Sequence, residues 1–168
     1  MKTSVMLESY CADIERLVRD GTLRPAVRLA VALPDICAAL QSAQMKSSHD
    51  EYNKWCAAWL MWKVVSGGKP VDGARLYRLY SGRARIKPLS GPPHDITAAA
   101  LRRFRMSRRG RREKTPARQR LWRPVNRIQA FEVDLVEALV DSSRRWYREQ
   151  GAGNSTVQRN LGRLLVSG

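Results

Sequence analysis

Residues 102–123 set the first limit on any fold. Eleven of these 22 residues are lysine or arginine, and Glu113 is the single acid among them. A block of like charge that dense cannot enter a core, because a cation withdrawn from water without a partner carries a large desolvation cost. The apolar interior must therefore be assembled from the chain on either side. Residues 81–124 hold 14 bases against Asp95 and Glu113, which is +12 of the chain's +16. The other 124 residues are ordinary, with 17 bases and 13 acids. One domain of 168 residues then has three parts: N-terminal helices in 1–80, an arginine-rich connection in 81–124 and C-terminal helices in 125–168.

Outside the block, apolar residues recur at helical spacing, and no stretch alternates convincingly as a strand would. The expected fold class is all-α, a single helical bundle of about five to seven helices with a basic, partly disordered connection. Met6, Tyr10, Ile14 and Leu17 mark a first helix, stopped by Gly21. Pro25 opens a second, nearly uncharged helix that Pro34 bends or restarts into Ile36, Cys37 and Leu40; this should be the most buried element. Ser48 and Glu51 have capping-box spacing ahead of Tyr52, Trp55, Cys56, Trp59 and Leu60. After the break at Ser66-Gly67-Gly68-Lys69-Pro70, a short helix runs to Gly82. Another, capped by Asp95, carries Ile96, Ala100, Leu101 and Phe104 before dissolving into the arginines. Asn126 with Gln129, and Ser155 with Gln158, are capping pairs for two closing helices.

Several function classes are disfavoured by the same residues. The longest uncharged apolar run, residues 55–62, is too short to span a bilayer, and the N-terminus lacks a signal pattern, so a cytoplasmic protein without a membrane partner is expected. Cys11, Cys37 and Cys56 are odd in number and sit on apolar stripes, which reads as buried, reduced thiols. His49 and His94 form no metal-ligand pair, so neither metal nor cofactor is implied.

The charge block points instead to RNA or another nucleic acid. Arg102, Arg103, Arg105, Arg108, Arg109, Arg111, Arg112, Lys114, Arg118, Arg120 and Arg123 are the candidate phosphate contacts. Guanidinium groups grip phosphate bidentately and stack on bases, and Phe104 and Trp122 flank the run, which favours single strands. Trp55, Trp59 and Trp62 offer a different reading, a surface for a homodimer or a protein partner, with the basic segment adding only solubility.

The pieces Arg28-Leu29-Ala30-Val31-Ala32-Leu33-Pro34-Asp35-Ile36-Cys37-Ala38-Ala39-Leu40, Tyr52-Asn53-Lys54-Trp55 and Arg75-Leu76-Tyr77-Arg78-Leu79-Tyr80-Ser81-Gly82-Arg83-Ala84 resemble, in order and spacing, bacterial helical proteins related to HEPN domains. Arg145-Trp146-Tyr147 and Val157-Gln158-Arg159-Asn160-Leu161 are similar to the closing helices of that group. The resemblance implies a bundle that dimerises and, in active members, cleaves RNA without metal through an arginine followed, after four to six intervening residues, by a histidine, in a toxin, defence or RNA-processing setting. Arg75 and Tyr80 occupy the matching positions, with tyrosine in place of histidine.

Internal attack on a phosphodiester needs a group to take the 2′-hydroxyl proton and another to hold charge on the phosphate. Arg75 suits the second role, whereas a tyrosine of pKa about 10 is a poor base at neutral pH. His94 is the nearby group with a suitable pKa, so a metal-independent endoribonuclease would use Arg75 with Tyr80 or His94. Residues five apart on a helix point about 140° away from each other, so Arg75 and Tyr80 share a site only if the helix ends near Gly82; otherwise Leu76 and Leu79 face the core and Tyr80 the surface. The arginine-rich connection departs from the group. Out-of-frame translation of a GC-rich gene would give the same composition, and the resemblance fades after Ala84 and returns near Arg127.

Overall fold

Eight consecutive residues, Leu33 to Leu40, are buried in the computed structural model of the chain, as their near absence of charge predicts. The structure describes residues 4–60, 65–66, 69–70, 72–84, 95–107 and 122–167. Helix α3 (Leu33–Gln41) is the central element, with α4 (His49–Trp59), α6 (Ile96–Ser107), α7 (Arg127–Trp146) and α8 (Ser155–Val166) packed around it. α1 (Ser4–Arg19) lies against α2 (Leu23–Ala30), α6 and α7, and α5 (Gly73–Ala84) lies on α4. The fold is all-α. Its one departure among the described residues is a two-residue antiparallel pairing of β1 (Val65–Ser66) with β2 (Lys69–Pro70), at the predicted break.

The chain restarts rather than bends between α2 and α3. Pro34 falls in the first turn of α3, where its missing N–H leaves no acceptor unserved. The restart interrupts the helical ladder inside the core, where a carbonyl without a donor is costly. Tyrosines from two other helices reach these carbonyls: the Tyr10 hydroxyl donates to Leu29 O at 2.9 Å, and the Tyr52 hydroxyl to Val31 O at 2.7 Å. At the other end of α3, the buried Asn160 amide of α8 donates to Leu40 O at 3.0 Å and Ser42 O at 2.7 Å.

Helix ends elsewhere follow local chemistry. Ser48 and Glu51 form the predicted capping box of α4, with Ser48 N–H donating to Glu51 Oε2 at 2.7 Å. Asn126 accepts from the Gln129 N–H at 2.9 Å to start α7. The α8 cap is Asn154, one residue before the expected Ser155; its Oδ1 accepts from Thr156 and Val157 N–H, while Gln158 turns back to donate to Gly151 O. Asn and Ser are both good caps, and the π-helical turn Tyr147–Gly151 that extends α7 places Asn154 in register.

α1 ends in a glycine motif, with Gly21 at φ +74° and the Thr22 N–H donating to Leu17 O at 2.8 Å. Trp122 packs directly on Gly21: a Cβ there would lie 2.5 Å from the indole Cδ1. Arginines join helices as well as covering them. Arg144 of α7 donates to Glu15 Oε1 at 2.5 Å and to Glu8 Oε2 at 3.1 Å, clamping α1. Arg145 donates to Trp59 O at 3.1 Å, at the end of α4, and lies over the Trp59 ring.

α6 is more regular than the sequence suggests. It continues to Ser107 with Arg102, Arg103 and Arg105 on it, because Ala100, Leu101 and Phe104 fill the core, Phe104 against the Tyr10 ring at 5.5 Å. All three cysteines are free and buried, and burial pushes the Cys11 and Cys56 thiols up to about 12. No helix among the described residues is long and apolar enough to cross a membrane.

Gly21→Ala adds both left-handed backbone strain and the Trp122 clash, so it should destabilise by about 1–3 kcal/mol. Urea unfolding measures this, and the double variant Gly21→Ala/Trp122→Ala should recover only the steric part. A single variant as stable as the parent would mean that Trp122 does not sit on the α1 terminus.

Candidate functional site

α5 turns Leu76 and Tyr80 inward and Arg75 and Arg78 to solvent. Tyr80, expected either beside Arg75 in a shared site or at the helix surface, is buried, its ring stacked on Tyr52 with centroids 5.7 Å apart. Its hydroxyl donates to Asp35 Oδ2 at 2.7 Å, and Ile96 O lies 3.2 Å away. One phenol proton cannot serve both fully, and the shorter, charge-assisted bond to the carboxylate is the stronger. Asp35 is only 2% exposed. Burial raises the Asp35 carboxyl above the usual aspartate value, and the Tyr80 hydrogen bond, followed by the nearby Thr97 and Ser47 hydroxyls, opposes that shift. Burial, and then the neighbouring Asp35 charge, push the Tyr80 phenol far upward, so it does not act as a base.

Arg75 takes no part in this arrangement. It is exposed, its backbone N–H bonded to Asp72 Oδ1 at 2.8 Å near the start of α5. The helix runs past Gly82 to Ala84, so the two motif positions stay on different faces. His94 lies outside the described residues. His49 packs its ring on Tyr77 at 4.3 Å, with Nε2 3.1 Å from Asn53 Nδ2.

Of the candidate phosphate contacts, Arg102 and Arg103 are exposed on α6, and Arg123 is exposed beside Trp122 before α7. Arg105 is half-buried and committed to the fold, with Nη1 donating to Ser167 O at 2.6 Å just beyond α8. Arg108, Arg109, Arg111, Arg112, Lys114, Arg118 and Arg120 lie outside the described residues, as does Trp62.

Between α2 and α6 opens a cleft of about 230 Å³. Its walls are largely aliphatic, with Leu29 on one side and Ile96 and Ala99 on the other, and the nearly buried Tyr10 and Tyr80 rings also line it. Arg28 of α2 and Arg103 of α6, both exposed, complete the lining from opposite sides. Among the described residues neither guanidinium has a carboxylate partner. Sequence reading missed Arg28 and Asp35 as site residues. Their signal is their setting, since each is an isolated charge within an otherwise apolar stretch. No group of three or more His, Cys, Asp or Glu side chains among the described residues could hold a metal ion.

Asp35 supplies a pH test. A carboxyl raised in the folded state binds its proton more tightly than the unfolded chain does. Its contribution to stability is full below the unfolded value of 3.8 and is lost as pH rises through the folded value. Each unit of elevation corresponds to about 1.4 kcal/mol. Asp35→Asn keeps an acceptor for Tyr80 and removes that titration. The parent should therefore lose stability relative to the variant between pH 3.8 and neutrality, as measured by urea unfolding. A difference that does not vary with pH would contradict the buried carboxyl. No family model, curated protein or solved structure matches the chain, so the functional reading rests on its residues and their geometry.

Proposed function

We propose that the chain is an RNA-binding helical domain of the HEPN type, catalytically weak or inactive, which holds a single strand by its phosphates. The observation that supports it most is the construction of α6. Ala100, Leu101 and Phe104 anchor one face in the core, which fixes Arg102 and Arg103 outward at the head of the 102–123 block, with its 11 bases against one acid. At the other end of that block, Trp122 rests on the end of α1 and Arg123 is exposed. Guanidinium groups held on a packed helix lose less freedom on meeting a phosphate than those on an unstructured chain. The binding energy comes mainly from counterion release.

Weak or absent catalysis follows from the environment of Tyr80. Its proton is directed at Asp35, and the exposed Arg75 lies on another face of α5. A reacting phosphate would need both groups within hydrogen-bond reach.

Binding of a labelled single-stranded RNA, measured by fluorescence anisotropy across a salt series, tests the reading. The log–log slope should be about −0.7 for each phosphate contacted, and Arg102→Ala/Arg123→Ala should make it shallower by about 1.4. The RNA should remain uncut during the titration. Binding that is absent at low salt, or unaffected by salt, would remove the proposal.

A further inference from the structure

We infer that the cleft between α2 and α6 receives one nucleotide unit, its base between the aliphatic walls and its phosphate between Arg28 and Arg103. The inference rests on the RNA-binding reading and adds to it a place where a base, rather than only the backbone, is held.

The volume sets the size of the occupant. At about 230 Å³ the cleft falls below the usual range for drug-sized ligands, roughly 300–1,000 Å³, and suits a single flat ring system. The walls select a partly apolar body: Leu29, Ile96 and Ala99 offer no charge, and the Tyr10 hydroxyl is already donated to Leu29 O. The two guanidiniums select an anion beside that body. Arg28 and Arg103 stand on different helices on either side of the opening, and among the described residues no carboxylate neutralises either. Two such forks can share one phosphate, a geometry that suits arginine better than lysine.

Position along the chain favours a nucleotide over a small aromatic acid. Arg103 belongs to the cleft and stands next to the exposed Arg102 on α6, so a strand held by these two guanidiniums passes the opening. Single-stranded RNA can turn a base out of its stack into such a recess, whereas a duplex cannot without unpairing.

The test compares a labelled ten-nucleotide RNA with an abasic strand of the same length, which keeps the phosphates and lacks the rings. The parent should bind the base-bearing strand about tenfold more tightly. That advantage should vanish in Ala99→Phe, which fills the cleft, while the salt slope is retained. Arg28→Ala, an exposed site where folding is not at risk, should weaken binding of the base-bearing strand and make the slope shallower by about 0.7. Uridine 5′-monophosphate, added as competitor, separates the two sources of the unit. Displacement at millimolar concentration shows that a free nucleotide suffices, and displacement only by unlabelled decamer shows that the unit must belong to a strand. Equal affinity for the two strands in the parent overturns the cleft assignment but leaves salt-dependent RNA binding standing. Absence of binding to either strand overturns both.

Discussion

The need to satisfy polar backbone groups around a helix buried along all but its last residue governs this bundle. α3 is sequestered because Asp35 is its one charged residue, but a short helix in a core brings unpaired carbonyls with it. Donors come from distant parts of the chain: Tyr10 from α1 and Tyr52 from α4 at the α2–α3 restart, Asn160 from α8 at the far end. Removing any one would leave a buried acceptor bare at a cost of about 1–3 kcal/mol. These bonds also fix which helices surround α3, since each donor is correct in only one packing. The tyrosines therefore have two functions: their rings fill volume, and their hydroxyls specify register.

Arginine serves two opposed ends in the same molecule. Arg144, Arg145 and Arg105 are spent inside the fold, on carboxylates or on carbonyls at helix ends. Arg28, Arg102, Arg103 and Arg123 remain at the surface. Composition alone cannot make that division. The paired group sits where α7 and α6 meet carboxylates or carbonyls of other helices, whereas Arg28 lies on an exposed face of α2, Arg102 and Arg103 on one of α6, and Arg123 just before α7, none in an ion pair among the described residues.

Local signals in the sequence were read well. Gly21, the Ser48–Glu51 box and the nearly uncharged α3 depend on neighbours within a few residues, and each appears as expected. What depends on distant partners was not legible. Tyr80 looked superficial because its attraction inward comes from Asp35, 45 residues away, and from the Tyr52 ring. α6 is expected to dissolve into the arginines after Phe104, yet the buried Ala100, Leu101 and Phe104 hold it to Ser107. The cleft arises only when α2 and α6 are placed side by side, so no spacing along the chain announces it.

The Asn160 bond to Leu40 joins groups 120 residues apart. On a ribosome making roughly 5–20 residues per second, the central helix would wait about 6–24 s for the side chain that closes its end. During that interval the nascent N-terminal half presents an unfinished apolar surface. Docking of α8 is then the step that converts a loosely collapsed polypeptide into one with a defined interior, and chaperone contact during synthesis would fall in the interval before it.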